Sequence, residues 1–212
     1  MSVLEEIKNS IITYKANLTK EACERALAEN IPPGDIVNLG LIAGLEVVGQ
    51  KFKANKIFVP EVLMATKAMH TGLGVVKPLL AQSDIQPAGT VILGTVKGDL
   101  HDIGKNLVGM MLEGAGFKVI DVGINTPPEK FVEAIREHKA DLLAMSCLIT
   151  NTLSALETAI KVVDEAGLRP GLKIIVGGGA VTEQFAAKIG SDGYAKDASS
   201  AVSVSKELLG IA

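Results

Sequence analysis

Five strand-like segments in the C-terminal half constrain the fold most: the largely apolar TVILGTV (90–96), KVIDVGI (118–124), DLLAMSCL (141–148) and KIIVGGG (173–179), and the short DGYAKD (192–197). Each is followed by a stretch of helical character: residues 104–116, then PPEKFVEAIREHK, TLSALETAIKVVDEAG, TEQFAAKIG and ASSAVSVSKELLG. Strands with little polar alternation are buried on both faces, and strands that alternate with helices pair in parallel. The pattern predicts an α/β domain with a doubly wound, five-stranded parallel sheet, Rossmann-like or flavodoxin-like in architecture. Such sheets bind ligands beyond the C-terminal ends of their strands. Three loops of that edge are therefore the places to look: Gly98–Gly104, Ser146–Thr152 and Gly177–Gly179.

The N-terminal part has a different pattern. Val3, Leu4, Ile7, Ile11 and Ile12 recur at helical spacing between Glu5, Glu6 and Lys8. A second helix is expected over about 18–30 and, after the break IPPGD, a third over about 35–52. The third carries Gly40 and Gly44, a spacing that favours close helix packing. A fourth helix begins near Pro60, whose missing N–H is harmless in a first turn. Four helices with short connections make an N-terminal four-helix bundle. Within it Met64 and Met69 read as core, and His70 as a partly buried helix residue. The polar stretch AQSDIQPAG (81–89) reads as a connector, so the expected domains are 1–85 and 86–212.

Composition narrows the function. The chain has 48% apolar residues, net charge −3 and 3% aromatics with no Trp. No basic field favours nucleic acid or an anionic membrane surface, and no base-stacking platform is expected. No run spans a bilayer, no leader-like apolar segment opens the chain, and two separated cysteines suit a reducing compartment. The expectation is a cytoplasmic protein with neither nucleic acid nor membrane as partner.

The loop VKGDLHDIGKN (96–106) places His101 between Asp99 and Asp102, just beyond the first strand. A zinc site needs three or four protein ligands, and His70 and His138 lie in expected helices, so that set is thin. No G-x-G-x-x-G or P-loop is present. A metal that brings its own equatorial ligands in a macrocycle needs one axial imidazole, and Asp99 would fix that ring's tautomer. On the residues alone, a loop histidine flanked by acids with no ligand stands equally open.

The motifs in register decide further. Asp99, His101 and Gly104 form D-x-H-x-x-G; Ser146 and Leu148 form S-x-L; Gly177 and Gly178 form G-G. Together they resemble the signature of cobalamin-binding domains that hold the cofactor base-off, with histidine on the cobalt. The bundle is similar to the helical cap found in methionine synthase and in the corrinoid proteins of methyltransferase systems. The resemblance implies cobalamin as cofactor, His101 as lower axial cobalt ligand and Asp99 as its hydrogen-bond partner. It further implies that Gly104 lets the loop approach the corrin, and that Ser146, Leu148 and Thr150 lie near the displaced nucleotide tail. Thr152 falls where methionine synthases place a serine that completes a His–Asp–Ser relay. Gly177 and Gly178 would line an open channel for the tail, and Phe58 would cover the corrin's upper face.

The implied function is a methyl carrier without catalytic residues of its own. It would shuttle a methyl group between a substrate:corrinoid methyltransferase and a second methyltransferase that uses tetrahydrofolate or a thiol acceptor, with a reductive activation protein as a further partner. A cobalamin-dependent sensor is the alternative, but it should add a DNA-binding or signalling module, and none is visible.

Overall fold

The structure, a computed structural model, describes residues 1–80 and 87–211. Residues 81–86, most of the expected connector, lie outside the described residues. The chain divides into two compact units, Met1–Gln86 with Gly114–Gly116, and Pro87–Glu113 with Phe117–Ala212.

The first unit is the helical bundle. Helix α1 (Val3–Ile12) starts on Ser2, whose Oγ accepts the Glu5 N–H at 3.3 Å, and Glu5 and Glu6 suit the positive end of the helix dipole. Helix α2 is Ala16–Ala28. Its Thr19 meets Ser10 of α1 in a buried hydroxyl pair, Oγ1 to Oγ 2.7 Å. Helix α3 covers 33–53, and its segment Ile36–Ile42 is π-helical, which the hydrophobic period did not reveal. Helix α4 is Val59–Leu80. Gly40 and Gly44 do set close packing: a Cβ on Gly40 would lie 2.9 Å from Ile7 Cγ2, and one on Gly44 2.8 Å from Ile11 Cβ. Met69 is core, as expected, but Met64 is 47% exposed and His70 is also exposed. The α4 face that carries both residues points away from the buried row Val62, Ala65, Thr66, Ala68 and Met69.

The second unit holds a sheet of β1 (Thr90–Val96), β2 (Lys118–Thr126), β3 (Leu142–Ser146), β4 (Lys173–Gly177) and β5 (Gly193–Ala195). All pairings are parallel and the order is β2-β1-β3-β4-β5. Helices α5 (Ile103–Gly114), α6 (Pro128–His138), α7 (Leu153–Glu165), α8 (Glu183–Lys188) and α9 (Ala198–Leu208) follow the five strands in turn. Every residue of β1 from Val91 to Val96 is buried, as its unbroken apolar run requires. Gly94 in that strand makes room for the core: a Cβ there would lie 2.7 Å from both Phe131 Cε1 and Val122 Cγ2.

The strand order fixes where a ligand can sit. β2 lies on one side of β1 and β3 on the other, so the loops leaving β1 and β3 diverge and open a crevice at the C-terminal edge. The loop with Asp99 and His101 and the loop with Ser146–Thr152 border that crevice.

Candidate functional site

The loop after β1 begins with a tight turn. The Asp99 N–H donates to the Val96 carbonyl at 3.1 Å, and Gly98 has φ +87°, the left-handed value that the third residue of a type II turn needs. This turn points the Asp99 side chain inward, where it is wholly buried. One carboxylate oxygen, Oδ1, accepts the main-chain N–H of His101 at 3.0 Å and lies 2.6 Å from His101 Nδ1. The other, Oδ2, accepts the main-chain N–H of Leu148 at 2.6 Å. The loops after β1 and β3 are thus joined through one carboxylate.

Burial raises the Asp99 pKa, but the N–H groups of Leu148 and His101 and the imidazole outweigh it and hold the carboxyl below its ordinary value. An ionised Asp99 fixes the proton of the neutral imidazole on Nδ1, and the nitrogen left with a free lone pair is Nε2. The His101 side chain is 53% exposed, so a ligand can reach it. Its carbonyl is held by Thr95 Oγ1 at 2.8 Å, from a fully buried threonine. Asp102, the second flanking acid, is exposed and bonds to Asn106, at the start of α5. Only one of the two acids therefore engages the ring.

The surface around His101 is apolar for a loop region. Leu100 and Ile103 beside it are 67% and 78% exposed, and Leu148 on the neighbouring loop is 44% exposed. A Cβ on Gly104 would meet nothing within 4 Å, so that glycine presents bare backbone to open space. An exposed imidazole ringed by exposed apolar side chains and bare backbone fits a flat, largely apolar macrocycle with one free axial position. Among the described residues no group of three His, Cys, Asp or Glu could hold a metal ion by itself.

Other expected residues are placed differently. Ser146 is half-buried at the end of β3, paired in register between Thr95 and Gly177. Thr150 is exposed and opens the 3-10 turn Thr150–Thr152. Thr152 is buried, but its hydroxyl donates to the Ile149 carbonyl at 2.9 Å and lies 3.2 Å from Cys147 Sγ. With its single proton so engaged, it does not extend Asp99 into the expected relay. The Thr152 methyl, which a serine would lack, lies 3.1 Å from where a Cβ on Gly98 would stand. Burial pushes the Cys147 thiol up, as does the Asp99 charge, while the Thr152 hydroxyl opposes them.

Gly177 and Gly178 are required by the packing of the fold itself. A Cβ on Gly177 would lie 2.5 Å from the Ala195 carbonyl oxygen, and one on Gly178 2.7 Å from the Cys147 carbonyl carbon, at φ +117°. Close approach of main chain demands glycine there. Phe58 precedes α4 in the bundle, 64% exposed, with its N–H donating to Glu61 Oε2 at 3.0 Å.

Two roles were not legible beforehand. Leu148 acts through its backbone N–H, and no pattern of side chains shows that. Lys105, expected only to start a helix, is buried in the first turn of α5 and paired with Asp121 of β2, an ion pair that ties helix to sheet.

Fold and site together define a cobalamin-binding protein. The B12 binding domain family matches residues 89–203, and a second family, also described as B12 binding domain, matches 3–77. The chain is 42% identical to dimethylamine corrinoid protein 3 of Methanosarcina acetivorans over 98% of this chain and 97% of that one. It is 39% identical to a corrinoid protein of Desulfitobacterium hafniense over 99% of each. One chain in the crystal structure of the methanol:cobalamin methyltransferase complex MtaBC from Methanosarcina barkeri superposes with TM-score 0.89 at 27% identity, over 98% of this chain and 80% of that one. The chain belongs to the corrinoid proteins of methyltransferase systems, and its cofactor is cobalamin. Among the described residues no helix is long and apolar enough to cross a membrane.

Proposed function

We propose that the chain is the methyl-carrying subunit of a methyltransferase pair and binds cobalamin base-off through His101 Nε2. The observation that carries this reading is the buried Asp99 carboxylate 2.6 Å from Nδ1 of a half-exposed imidazole. When bound, the cofactor supplies a cobalt centre that takes up a methyl group and gives it away. The chain's own residues hold and orient. Asp99 keeps the His101 proton on Nδ1 and so presents Nε2. The Leu148 N–H and the His101 N–H hold Asp99 ionised. Leu100, Ile103 and Leu148 offer apolar contact, and Gly104 leaves room for close approach. Ser146 and Thr150 are proposed near the nucleotide tail, with the main chain at Gly177 and Gly178 beside them.

Residues 86–212 are proposed as the cofactor domain and 1–85 as a helical cap, with Phe58 toward the upper face of the corrin. Proposed partners are a substrate-specific methyltransferase, a second methyltransferase with tetrahydrofolate or a thiol as acceptor, and a reductive activation protein, all in the cytoplasm. The names of the relatives support a methyltransferase partner, since one solved neighbour is a complex of that kind.

The test is single turnover. The bound corrinoid is reduced, and methylamines, methanol or a methyl aryl ether are added with and without a candidate methyltransferase. Methylation, followed in the visible spectrum, should be slow with donor alone and accelerated many-fold by one partner. Fast, saturable methylation by a simple donor alone would show an enzyme in its own right and overturn the carrier reading.

A further inference from the structure

Resting on the reading of His101 as ligand, we infer that Asn125, at the end of β2, is the positioning residue of the ligand loop. Asn125 bridges both ends of the Gly98–Asp99 dipeptide. Its side-chain Oδ1 accepts the Gly98 N–H at 2.7 Å, and its own N–H donates to the Asp99 carbonyl at 3.0 Å. Together with the Val96–Asp99 turn bond, these contacts hold the backbone from which the Asp99 carboxylate projects.

The sheet is deformed where Asn125 sits. Strand β2 runs in register with β1 up to Leu93↔Asp121, then shifts twice, to Gly94↔Gly123 and Val96↔Thr126. Residues are inserted on the β2 side at each shift, and such bulges re-aim backbone beside functional sites. Asn125 lies within the second shift with φ 49°, a left-handed conformation that asparagine tolerates better than other residues with a side chain. Both the bulge and the residue type are thus what is needed to bring an amide oxygen under Gly98.

The far end of the loop is fixed by Thr95 at the His101 carbonyl, and the Asp99 carboxylate is fixed by the Leu148 N–H. Asn125 supplies the constraint on the near end. Functional geometries require side chains held within about half an ångström, and the Asp99–His101 contact is a short one. Loss of the Asn125 amide frees the Gly98 peptide to rotate and lets the Asp99–His101 pair drift from the position in which Nε2 faces the cofactor.

The test uses the full chain labelled with 15N-histidine and loaded with cobalamin, in wild type, Asn125→Gly and Asn125→Asp. Glycine keeps the left-handed backbone and its N–H but removes the acceptor; aspartate restores an acceptor oxygen. Co(II) EPR reads the fraction of cobalt carrying a histidine nitrogen, as a doublet from 15N. Hydrogen exchange of the Gly98 and Leu148 amides in the cofactor-free protein gives a second readout. Asn125→Gly should lower the histidine-bound fraction at least several-fold and speed Gly98 exchange, while circular dichroism stays that of wild type. Asn125→Asp should restore both. Wild-type EPR and exchange in Asn125→Gly, or equal loss in both variants, overturns the role of the Asn125 oxygen and leaves the ligand reading intact. Absence of the doublet in wild type itself overturns the His101 assignment, and the Asn125 role with it.

Discussion

Asp99 is wholly buried, His101 is half exposed, and Oδ1 of the one lies 2.6 Å from Nδ1 of the other. The pair spans the boundary between protein interior and surface. The carboxylate is out of water, where it has three N–H partners, and the imbalance of environments leaves the imidazole as the part of the pair that a cofactor can reach. Such a pairing raises the basicity of a ligand histidine and fixes its orientation.

Asp99→Asn should weaken cobalamin binding about 10- to 100-fold, the usual effect of removing a partner of a ligating histidine. An amide has one acceptor oxygen where the carboxylate has two, so its NH2 must face either the Leu148 N–H or the His101 donors. That mismatch should also cost about 1–3 kcal/mol of stability. Titration of the variant with hydroxocobalamin, followed in the visible spectrum, and urea unfolding check both effects.

Acid should destabilise the fold through the same carboxyl. Asp99 has a lower pKa folded than unfolded, so in the window between the two the unfolded chain binds the proton and the folded chain does not. The stability it contributes is present above the ordinary carboxylate range and is lost as pH falls through the folded value. Urea midpoints taken from pH 7 down to pH 2 should fall less steeply in Asp99→Asn than in wild type.

His101→Ala should leave the fold intact. The side chain is half exposed and its loss removes one hydrogen bond, worth about 1 kcal/mol. Thermal unfolding should shift by only a few degrees, while the histidine nitrogen coupling in the Co(II) EPR spectrum disappears.

Two glycines should respond in opposite ways. At Gly178 a Cβ collides with the Cys147 main chain and the backbone is left-handed, so Gly178→Ala should cost at least about 2 kcal/mol, read in thermal unfolding. At Gly104, in the first turn of α5, a Cβ meets nothing, so Gly104→Ala should keep or raise stability by up to about 1 kcal/mol. If Gly104 faces the corrin, the same variant should bind cobalamin more weakly despite its sound fold.

A chain that starts at Pro87 should fold without the bundle and bind cobalamin. The principal core of the α/β unit, including Ile92, Phe131, Leu143, Leu156 and Ile174, draws all its members from beyond residue 90. A cooperative unfolding transition by circular dichroism and a cobalamin-induced spectrum are the expected results.

The sequence by itself determined what depends on neighbours along the chain. Unbroken apolar runs such as TVILGTV became β1, and the helical period of the N-terminal residues became the bundle, because period and burial are local properties of the pattern. Asp99 and His101 were legible as a pair because residues two apart in one short loop cannot be far apart. What the tertiary structure decided involves partners distant in the chain. The Leu148 N–H reaches Asp99 across 49 positions only because β1 and β3 are neighbours in the sheet. Asn125 reaches Gly98 only because β2 lies on the other side of β1 and bulges there. The π-helical turn of Ile36–Ile42, the burial of Lys105 and the commitment of the Thr152 hydroxyl to Ile149 follow from packing and local geometry that residue identities leave open. Gly177 and Gly178 were found by motif, but their reason lies in how closely Ala195 and Cys147 pass them, and that distance exists only once the sheet has formed.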